Sequence, residues 1–338
     1  VVVDNIAPTA TVEYSQPVTS KGNVDYYTGN IEGTVTVNEA NFYPSDCKVM
    51  IKMKGGRSRA ANVSWTHKGT NQHIGRFTLS GDGDYVVSID YKDRSGNKME
   101  YYESNQKTID SKKPTIKVSN IVNNSANKNK VYGFTITAND TNLDSASLKP
   151  VLTMTSRDSK GRFINKEIPL SDKKSSNGGH TYSITVNNLE TDGLYHLSCT
   201  VSDYARNKYS KIALDNGKEY ENVNFSINRK GSVFVASDET QHIIDKYYVY
   251  NVKQDIVIKE INVDPISKYS IKLNDKVLKE GTDYSTTQTN KNGEWSIRTY
   301  TIKKSLFEKE GRYEVIIESV DKTKTNAYSD VKGLDITF

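Results

Sequence analysis

One short pattern occurs three times in this chain of 338 residues and limits what the chain can fold into. Each copy has an acid, Gly, a variable residue and Tyr, then alternating apolar residues, and an Asp eight residues after the Tyr. Such alternation places one face of a β-strand on a core and leaves the other in water. The copies start at Asp82-Gly83-Asp84-Tyr85, Asp192-Gly193-Leu194-Tyr195 and Glu310-Gly311-Arg312-Tyr313, and their later acids are Asp93, Asp203 and Asp321.

The spacing of the three tyrosines indicates the size of the repeating unit. Tyr85 and Tyr195 are 110 residues apart, and Tyr195 and Tyr313 are 118 residues apart. This period is too long for a solenoid and is close to the roughly 100 residues of one immunoglobulin-like sandwich. We therefore predict an all-β fold with three tandem immunoglobulin-like β-sandwich domains, arranged end to end.

Each copy is expected to be the penultimate strand of its domain, with the turn into the last strand. The Tyr is predicted to form a tyrosine corner, in which the ring is buried and the hydroxyl group bonds to backbone upstream. In the first copy the turn is Asp93-Arg94-Ser95-Gly96-Asn97, where Asx side chains can bond to nearby amides. Gly96 is free to adopt a positive φ there.

A second pattern, Asp and Pro four residues apart, marks the joints at Asp4 with Pro8 and at Asp110 with Pro114. Pro lacks an amide donor and suits the first residue of a strand, where a domain begins. Because the chain begins without Met, we expect a piece of a longer protein. The predicted divisions are 1–5 (end of a preceding repeat), 6–110 (domain 1), 111–229 (domain 2) and 230–338 (a divergent domain 3).

A third pattern, acid-x-Asn-apolar, follows a strand-like run in each predicted domain. It indicates a bulge or turn in which the apolar residue closes the end of the sandwich. Independently of this pattern, residues 238–246 of domain 3 could form a short helix. The three copies are Glu39-Ala40-Asn41-Phe42, Asp140-Thr141-Asn142-Leu143 and Glu260-Ile261-Asn262-Val263.

Composition and charge argue against several partners. The 46 basic and 41 acidic residues are interspersed along the chain and give a net charge of +5. This balance predicts a mixed, solvated surface and no nucleic-acid binding. There is no apolar run near the ~20 residues of a membrane span and no signal peptide, so no membrane span is predicted in this segment.

The cysteines and histidines are interpreted as ordinary structural residues. Cys47 and Cys199 lie in different repeats at apolar positions of alternating segments, which predicts two free, buried thiols. His67 and His73 are six residues apart in a polar segment without a further ligand at zinc spacing, and are predicted to be solvated loop residues. His196 alternates outward from the strand and is predicted to lie on the surface.

No sequence motif for hydrolysis, phosphate binding or dinucleotide binding occurs, so we predict no enzyme and assign no catalytic, cofactor-binding or metal-ligating residue. Calcium is the metal that the sequence favours most, because calcium prefers six to eight oxygen ligands and carboxylates recur near the domain ends. The favoured interpretation is that each acid caps its own turn. The acids concerned are Asp4, Asp110, the set Glu39, Asp140 and Glu260, and the set Asp93, Asp203 and Asp321.

The patterns around Asn41, Tyr85, Asn97 and Pro114 together resemble the bacterial immunoglobulin-like repeats of large Gram-positive cell-surface proteins, especially of gut clostridia. Domain 3 departs from them, because its turn lacks Gly and its first strand lacks the Pro-Thr pair. The resemblance implies an extracellular, non-catalytic role, with the chain secreted or anchored to the cell wall. An intramolecular Lys–Asn isopeptide bond is possible in such sandwiches. The sequence does not identify which Lys, Asn and buried acid would form it.

The leading hypothesis is a stalk or adhesin that presents β-sandwich surfaces to a host protein, such as immunoglobulin or a matrix protein, or to a glycan, and that also contacts neighbouring repeats of the same chain. Two alternatives stay open: an accessory module string of a secreted carbohydrate-active or proteolytic enzyme, and a host immunoglobulin-binding protein. Within domain 3, Tyr247, Tyr248 and Tyr250 form a candidate partner surface, with an ordinary strand as the plainer interpretation.

Overall fold

A computed structural model describes residues 3–158, 162–246, 249–289, 293–324 and 326–331, with only the main chain for 326–331. Within these residues the chain forms six β-sheets, one α-helix and three short 3-10 helices. The sheets lie in pairs, and each pair shares one of three separate hydrophobic cores. The predicted all-β fold of three tandem immunoglobulin-like sandwiches is confirmed. The predicted domain boundaries stay a prediction.

Domain 1 contains a four-stranded sheet and a larger sheet that faces it. Its strands are β1 (Thr9–Tyr14), β2 (Thr19–Lys21), β3 (Val24–Tyr27), β4 (Ile31–Asn38), β5 (Lys48–Met53), β6 (Arg59–Ala60), β7 (Ser64–Lys68), β8 (Gln72–Leu79), β9 (Gly83–Asp90), β10 (Tyr102–Glu103) and β11 (Gln106–Ile109). The sheet orders are β1-β4-β8-β7 and β2-β3-β11-β9-β5-β6, with β10 beside β9. This is the ABED and CFG division of an immunoglobulin sandwich.

Domain 2 repeats this division with additional strands. Its elements are β12 (Thr115–Val118), β13 (Ser125–Asn127), β14 (Phe134–Asn139), a 3-10 helix (Ser145–Ser147), β15 (Lys149–Arg157), β16 (Phe163–Glu167), β17 (Lys174–Ser176), a 3-10 helix (Asn177–Gly179), β18 (Thr181–Val186), β19 (Gly193–Ser202), β20 (Lys208–Tyr209), β21 (Ile212–Leu214), β22 (Glu219–Tyr220) and β23 (Val223–Ile227). The sheet orders are β17-β18-β14-β12-β21-β22 and β13-β23-β19-β15-β16, with β20 beside β19.

The elements of domain 3 are β24 (Val233–Ala236), α1 (Asp238–Ile244), β25 (Ile256–Asn262), β26 (Ile266–Leu273), β27 (Lys276–Val277), β28 (Tyr284–Thr289), β29 (Ser296–Ile302), a 3-10 helix (Lys304–Phe307), β30 (Val315–Asp321) and β31 (Asn326–Val331). They form two four-stranded sheets, ordered β24-β25-β29-β28 and β27-β26-β30-β31. The predicted short helix is confirmed as α1, and the Ser237 hydroxyl caps it by accepting from Thr240 N at 3.2 Å. The last strand predicted around Leu334, Ile336 and Phe338 lies outside the described residues.

The apolar residues that alternate in the sequence form the inward face of each sheet. In β4, Ile31, Val35 and Val37 are fully buried, and their neighbours point away from the core. Between them, Gly33 leaves space for the ring of Phe77, because a Cβ atom on Gly33 would lie 2.2 Å from that ring. The apolar period of two therefore fixes which face of the sheet closes the sandwich.

The three predicted tyrosine corners are confirmed. Each ring is buried, and each hydroxyl group donates to a backbone carbonyl four or five residues upstream at 2.7–2.8 Å. The bond ties the connection between the two sheets to the penultimate strand. The pairs are Tyr85 with Ser80 and Gly81, Tyr195 with Thr191, and Tyr313 with Lys309.

The turn after each penultimate strand requires one residue with positive φ. Gly96 has a φ of 101°, as predicted. The other two copies place Arg206 (φ 67°) and Lys324 (φ 62°) in this region, at a conformational cost of about 1 kcal/mol each. Glycine is therefore favourable in this turn but not required.

The prediction of free, buried thiols is confirmed for both cysteines. Cys47 is 8% exposed and Cys199 is 1% exposed, and neither forms a disulfide. Burial raises the pKa of each thiol to about 12, so both are held in the unreactive protonated form at neutral pH.

Among the described residues, the one α-helix of seven residues is far too short to cross a bilayer, and no candidate membrane-spanning helix is found.

Candidate cation centres at the domain joints

Asp110 belongs to both domain 1 and domain 2. Its amide donates to Tyr27 O at 2.9 Å, which continues the pairing of the last strand of domain 1. Its carboxylate accepts from Asn142 Nδ2 at 2.6 Å, and its carbonyl accepts from Asn207 Nδ2 at 2.9 Å, both in domain 2. The joint between the two sandwiches therefore has no free linker.

The acid of the repeated acid-Gly-x-Tyr pattern holds the residue that follows the joint. Asp82 accepts from the amide of Ser111 at 3.0 Å, and Asp192 accepts from the amide of Arg229 at 3.0 Å. The sequence alone had not assigned a role to this acid. Its recurrence in domains 1 and 2 is explained because each of these two domains uses it to fix the start of the next domain.

Three carboxylates meet where domain 2 contacts the joint. Asp110, Asp140 and Asp203 each offer an oxygen, and these oxygens lie within 4.8 Å of one another. We call this set the central triad. Asp110 comes from the joint, Asp140 follows β14, and Asp203 follows β19, so two loops of domain 2 and the joint residue converge at one end of the sandwich.

The same arrangement occurs at the N-terminal end of domain 1. Asp4, Glu39 and Asp93 place one oxygen each within 4.8 Å of one another, and we call this set the N-terminal triad. Here too the first acid precedes the domain, the second follows β4, and the third follows β9. The structure thus brings six of the acids that recur near domain ends into two groups of three.

The local hydrogen bonds at the two triads are equivalent. In the central triad Asp140 accepts from the amide of Asn142 at 2.7 Å, and Asp203 accepts both the amide of Asn207 at 2.8 Å and its Nδ2 at 2.7 Å. In the N-terminal triad the corresponding donors are Asn41 and Asn97. These contacts confirm that the acids cap their own turns. They also hold the three carboxylates of each triad close together.

Burial and mutual repulsion act on the central triad. Burial raises the pKa of Asp203 to about 6; hydrogen bonds from Asn207 lower it, and the charges of Asp110 and Asp140 raise it further. Burial also raises the pKa of Asp140, which the amide of Asn142 lowers and the charge of Asp110 raises. The nearby charges of His180 and Lys112 lower the pKa of Asp140 and partly offset this repulsion.

The third acid-x-Asn copy is displaced by two residues from its predicted alignment. Asn262 Oδ1 accepts from the amide of Asp264 at 3.0 Å, just as Glu39 Oε1 accepts from the amide of Asn41 at 2.7 Å. Asn262 is therefore the counterpart of Glu39, and Glu260 is not a joint residue. Because Glu260 and Asn262 lie on the same face of β25, the sequence spacing alone could not separate them.

Glu260 instead lies in the core of domain 3, with no exposed surface. Its carboxylate accepts from the hydroxyl groups of Ser232 at 2.5 Å, of Tyr300 at 2.5 Å and of Ser319. Burial and the neighbouring Glu260 charge raise the pKa of Tyr300. Three hydroxyl donors satisfy this buried acid, which gives it a structural role.

The joint between domains 2 and 3 is built from amides. Asn228 is the counterpart of Asp110 in the central triad. Asn262 is the counterpart of Asp140, and Asp321 is the counterpart of Asp203. Asn228 Nδ2 donates to Asn262 Oδ1 at 2.7 Å, to Asp321 Oδ2 at 2.8 Å and to Asp264 Oδ2 at 3.1 Å. We call Asn228, Asn262 and Asp321 the amide joint.

The histidine prediction was right for His196 and wrong for His73. His196 is exposed, with its Nδ1 2.8 Å from Asn224 Oδ1. His73 is 5% exposed because it lies in β8, stacked on Phe42, with its Nε2 2.8 Å from Glu39 O. His67 lies opposite His73 in β7, with the two Nδ1 atoms 2.6 Å apart. The segment is therefore a hairpin and not a loop.

One lysine of domain 1 meets an acid and an asparagine, the residue types of an isopeptide bond. Lys107 Nζ lies 2.6 Å from Asp25 Oδ2 and 2.5 Å from Asn105 Oδ1. Burial raises the pKa of Asp25, but hydrogen bonds from Lys107, Ser20 and Asn105 outweigh this and lower it overall. An ammonium group held by an ionised carboxylate has no lone pair for attack, so this geometry favours an ion pair.

A groove of about 700 Å³ lies between domains 2 and 3. Polar side chains of domain 2, such as Asn224 and His196, line it together with Asp264 and Lys322 of domain 3. In the predicted tyrosine surface of domain 3, Tyr250 is 95% exposed and lies outside any strand, while Tyr247 and Tyr248 lie outside the described residues.

The comparison with known protein families finds no match, and neither does the comparison with curated proteins. Three solved structures align with most of the chain at TM-scores below 0.5. The complex of Dpr2 Ig1-Ig2 with DIP-Theta Ig1-Ig3 has a TM-score of 0.43 and 12% identity, over 94% of this chain and 97% of that chain. The I9-I11 tandem of titin has a TM-score of 0.28 and 11% identity, over 90% and 94%. A marsupial T cell receptor has a TM-score of 0.27 and 8% identity, over 96% and 98%.

Proposed function

We propose that this chain is a non-catalytic segment of a bacterial cell-surface protein, a stiff spacer that also presents sandwich surfaces to a host protein or glycan. The observation that carries the proposal is the sharing of Asp110 between domains 1 and 2. Since its amide completes one sandwich and its carboxylate is bound by the next, the two domains cannot swing without breaking hydrogen bonds. Without contacts that hold two domains together, relative domain motion is the default expectation.

The joint between domains 2 and 3 supports the same role. Trp295 Nε1 in domain 3 donates to Thr155 O in domain 2 at 3.1 Å, and Lys322 Nζ donates to Asn124 O at 3.1 Å. The Ser226 hydroxyl donates to Asp264 Oδ1 at 2.7 Å. Domain 3 is therefore fixed to domain 2 at three separate points besides the amide joint.

Rings from two domains pack together at the first joint. Tyr26 of domain 1 and Tyr204 of domain 2 lie 5.2 Å apart between ring centroids, and Lys21 Nζ lies 4.7 Å from the Tyr204 centroid. Aromatic and cation–π contacts of this kind resist bending. With strands of up to ten residues at ~3.3 Å each, three sandwiches end to end span on the order of 100 Å.

The cell-surface assignment is supported by the resemblance of the joints and corners to Gram-positive surface repeats. An extracellular location, either secreted or anchored to the cell wall, is part of the proposal. The folded chain provides several faces for a partner, of which the groove between domains 2 and 3 and the exposed ring of Tyr250 are the first to examine. Edge strands and end loops are the usual binding elements of such domains.

Small-angle X-ray scattering tests the spacer role. The wild-type chain is expected to have a maximum dimension on the order of 100 Å and the profile of a rigid rod. A variant with a four-residue Gly-Ser insertion between Asp110 and Ser111 should show the profile of a flexible chain. If the wild-type and inserted chains gave the same flexible profile, the spacer proposal would be wrong.

Partner capture tests the binding role. The immobilised chain is exposed to human serum and to a glycan array, and retained molecules are identified by mass spectrometry. Selective capture of Fab or Fc would favour the host immunoglobulin-binding alternative. A catalytic domain encoded in the same gene would favour the accessory-module alternative. Absence of any selective partner would leave the spacer role and remove the adhesive one.

A further inference from the structure

We propose that the groove between domains 2 and 3 binds an uncharged glycan, through side-chain hydrogen bonds on the outer face of domain 2. The inference rests on the proposed role of presenting sandwich surfaces to a partner, and it names the surface and the chemical class of that partner. The groove has a volume of about 700 Å³. This lies within the range of about 300–1,000 Å³ that is typical of sites for small ligands.

The floor of the groove contains a row of polar side chains that crosses three paired strands. Asn224 of β23, His196 of β19 and Thr153 of β15 are neighbours in the sheet, since His196 pairs with both of the others. Each alternates with buried residues of its strand and therefore lies on the outer face, and all three line the groove. The alternation that builds the core of domain 2 thus also places three hydrogen-bonding side chains next to one another.

Domain 3 closes one end of this row. The Ser226 hydroxyl group donates to Asp264 Oδ1 at 2.7 Å, and Trp295 Nε1 donates to Thr155 O at 3.1 Å. Ser226 and Thr155 lie two residues beyond Asn224 and Thr153 on the same strands, so domain 3 covers the next row of the sheet. The groove is therefore formed by the two domains together.

Two contacts orient groups that can bind a ligand hydroxyl. His196 Nδ1 lies 2.8 Å from Asn224 Oδ1, and in the neutral ring this places the proton on Nδ1 and the lone pair on Nε2. Thr155 Oγ1 donates to Asn165 Oδ1 at 2.6 Å. Among the described residues, neither Asn224 Nδ2 nor Asn165 Nδ2 donates to a protein acceptor. Amide donors next to an imidazole acceptor match a hydroxyl group, because a hydroxyl both donates and accepts.

The charged groups of the groove are already bound within the protein. Asp264 is 3% exposed and accepts from Ser226 and, at 3.1 Å, from Asn228 Nδ2. Lys322 Nζ donates to Asn124 O at 3.1 Å. One acid and one lysine give no net charge, and the other polar lining groups are amides, hydroxyls and the His196 ring. This lining favours an uncharged ligand over a sulfated glycan or a charged peptide.

The backbone beneath the groove has no free edge for an extended peptide. β23 pairs with β13 and β19, and β15 pairs with β16 and β19. A peptide that binds by strand addition needs the unpaired amide and carbonyl groups of a sheet edge. Recognition on this floor must therefore come from side chains, which suits a ligand rich in hydroxyl groups.

An array of neutral, sialylated and sulfated oligosaccharides tests the proposal, with the 338-residue chain applied at a series of concentrations. The wild-type chain is expected to bind a subset of the neutral glycans. Asn224→Ala should weaken this binding about tenfold, the equivalent of one hydrogen bond, and Thr153→Arg should abolish it by filling the floor. Asn187→Ala, an exposed position after β18 in the other sheet, should bind as wild type does.

Three results would overturn the proposal. They are no binding to any neutral glycan, binding to sialylated or sulfated glycans alone, and binding to neutral glycans that is unchanged in both Asn224→Ala and Thr153→Arg. A serum protein whose capture is lost in Thr153→Arg, in the absence of glycan binding, would show that the groove binds protein instead. Circular dichroism spectra identical to that of the wild-type chain establish that the variants are folded.

Scattering separates this inference from the spacer role. The side chains of Asn224 and Thr153 make no hydrogen bond across a joint among the described residues, so both variants should keep the wild-type profile. A rigid chain that binds no neutral glycan would retain the spacer and refute the groove as a glycan site. A flexible wild-type chain whose glycan binding is lost in Thr153→Arg would support the groove and refute the spacer.

Discussion

The side-chain amide of Asn228 donates a hydrogen bond to Asp321 Oδ2 across 2.8 Å. At the preceding joint the corresponding residues, Asp110 and Asp203, are both acids with oxygens within 4.8 Å. There Asn142 Nδ2 donates to the Asp110 carboxylate at 2.6 Å, whereas Asn228 donates to Asp264 at 3.1 Å, so the two joints differ in which residue supplies the donor. This difference determines which residue of each joint is sensitive to mutation.

Replacement of Asn228 by Ala should loosen the amide joint. The change removes the nitrogen that donates to Asp264, Asp321 and Asn262, so that buried acceptors lose their donor. We expect a loss of about 2 kcal/mol in the free energy of unfolding, measured by urea denaturation. Asn187→Ala, at an exposed position, should change stability by less than about 0.5 kcal/mol. Equal effects of the two substitutions would contradict this account of the joint.

The tyrosine corner can be tested by removal of one hydroxyl group. Tyr195→Phe keeps the buried ring but deletes the hydrogen bond to Thr191 O. The expected cost is about 1 kcal/mol of unfolding free energy. Tyr132→Phe, where the ring is 70% exposed, serves as the control and should be close to neutral. If Tyr195→Phe were also neutral, the corner would have only a packing role.

The sequence predicted these corners because the features that form them are local. Acid, Gly, Tyr and alternating apolar residues lie within one continuous segment, and the strand period of two decides the buried face. The three-domain fold followed from the spacing of Tyr85, Tyr195 and Tyr313. Gly96 was likewise predictable, since a short turn with positive φ favours glycine.

The joints could be predicted only in part. The sequence showed that Asp4, Asp110 and the recurrent acids lie near domain ends. It did not show that they converge, because each triad is formed by three segments about 30 to 90 residues apart along the chain. The displaced role of Asn262 and the burial of Glu260 depend on how β25 enters domain 3. The groove between domains 2 and 3 leaves no local pattern in the sequence, because it is formed where two folded surfaces meet.

The buried ion pair of Asp25 and Lys107 should make domain 1 sensitive to acid. Because the folded-state pKa of Asp25 is lowered, its stabilisation is present above the ordinary aspartate pKa and is lost as pH falls through and below about 4. Asp25→Asn should cost about 2 kcal/mol at pH 7 and reduce the loss of stability between pH 5 and 3.

The matched control for this pair is Asp90→Asn, which breaks an exposed ion pair with Lys98. An exposed pair contributes little, so less than about 0.5 kcal/mol and an unchanged acid profile are expected. The measurement is denaturant unfolding at a series of pH values. An acid profile of Asp25→Asn identical to that of the wild-type chain would show that the buried pair does not control the response.

The same pair predicts the intact mass of the chain. Lys107 is held as an ammonium group by Asp25, and this arrangement does not favour attack on the Asn105 amide. Electrospray mass spectrometry should therefore give the mass calculated from the sequence. A mass lower by one ammonia, with a cross-linked peptide containing Lys107 after digestion, would show that an isopeptide bond forms instead.

The distance between domains 1 and 2 tests the end-to-end joint most directly. Spin labels attached at the exposed positions Ser58→Cys and Asn187→Cys report it, while Cys47 and Cys199 stay unlabelled because both are buried with pKa values of about 12. Pulsed electron–electron double resonance on the chain with native Asp110 should give one narrow distance distribution, and an Asp110→Ala variant should give a broad one. A broad distribution in the chain with native Asp110 would contradict a fixed joint.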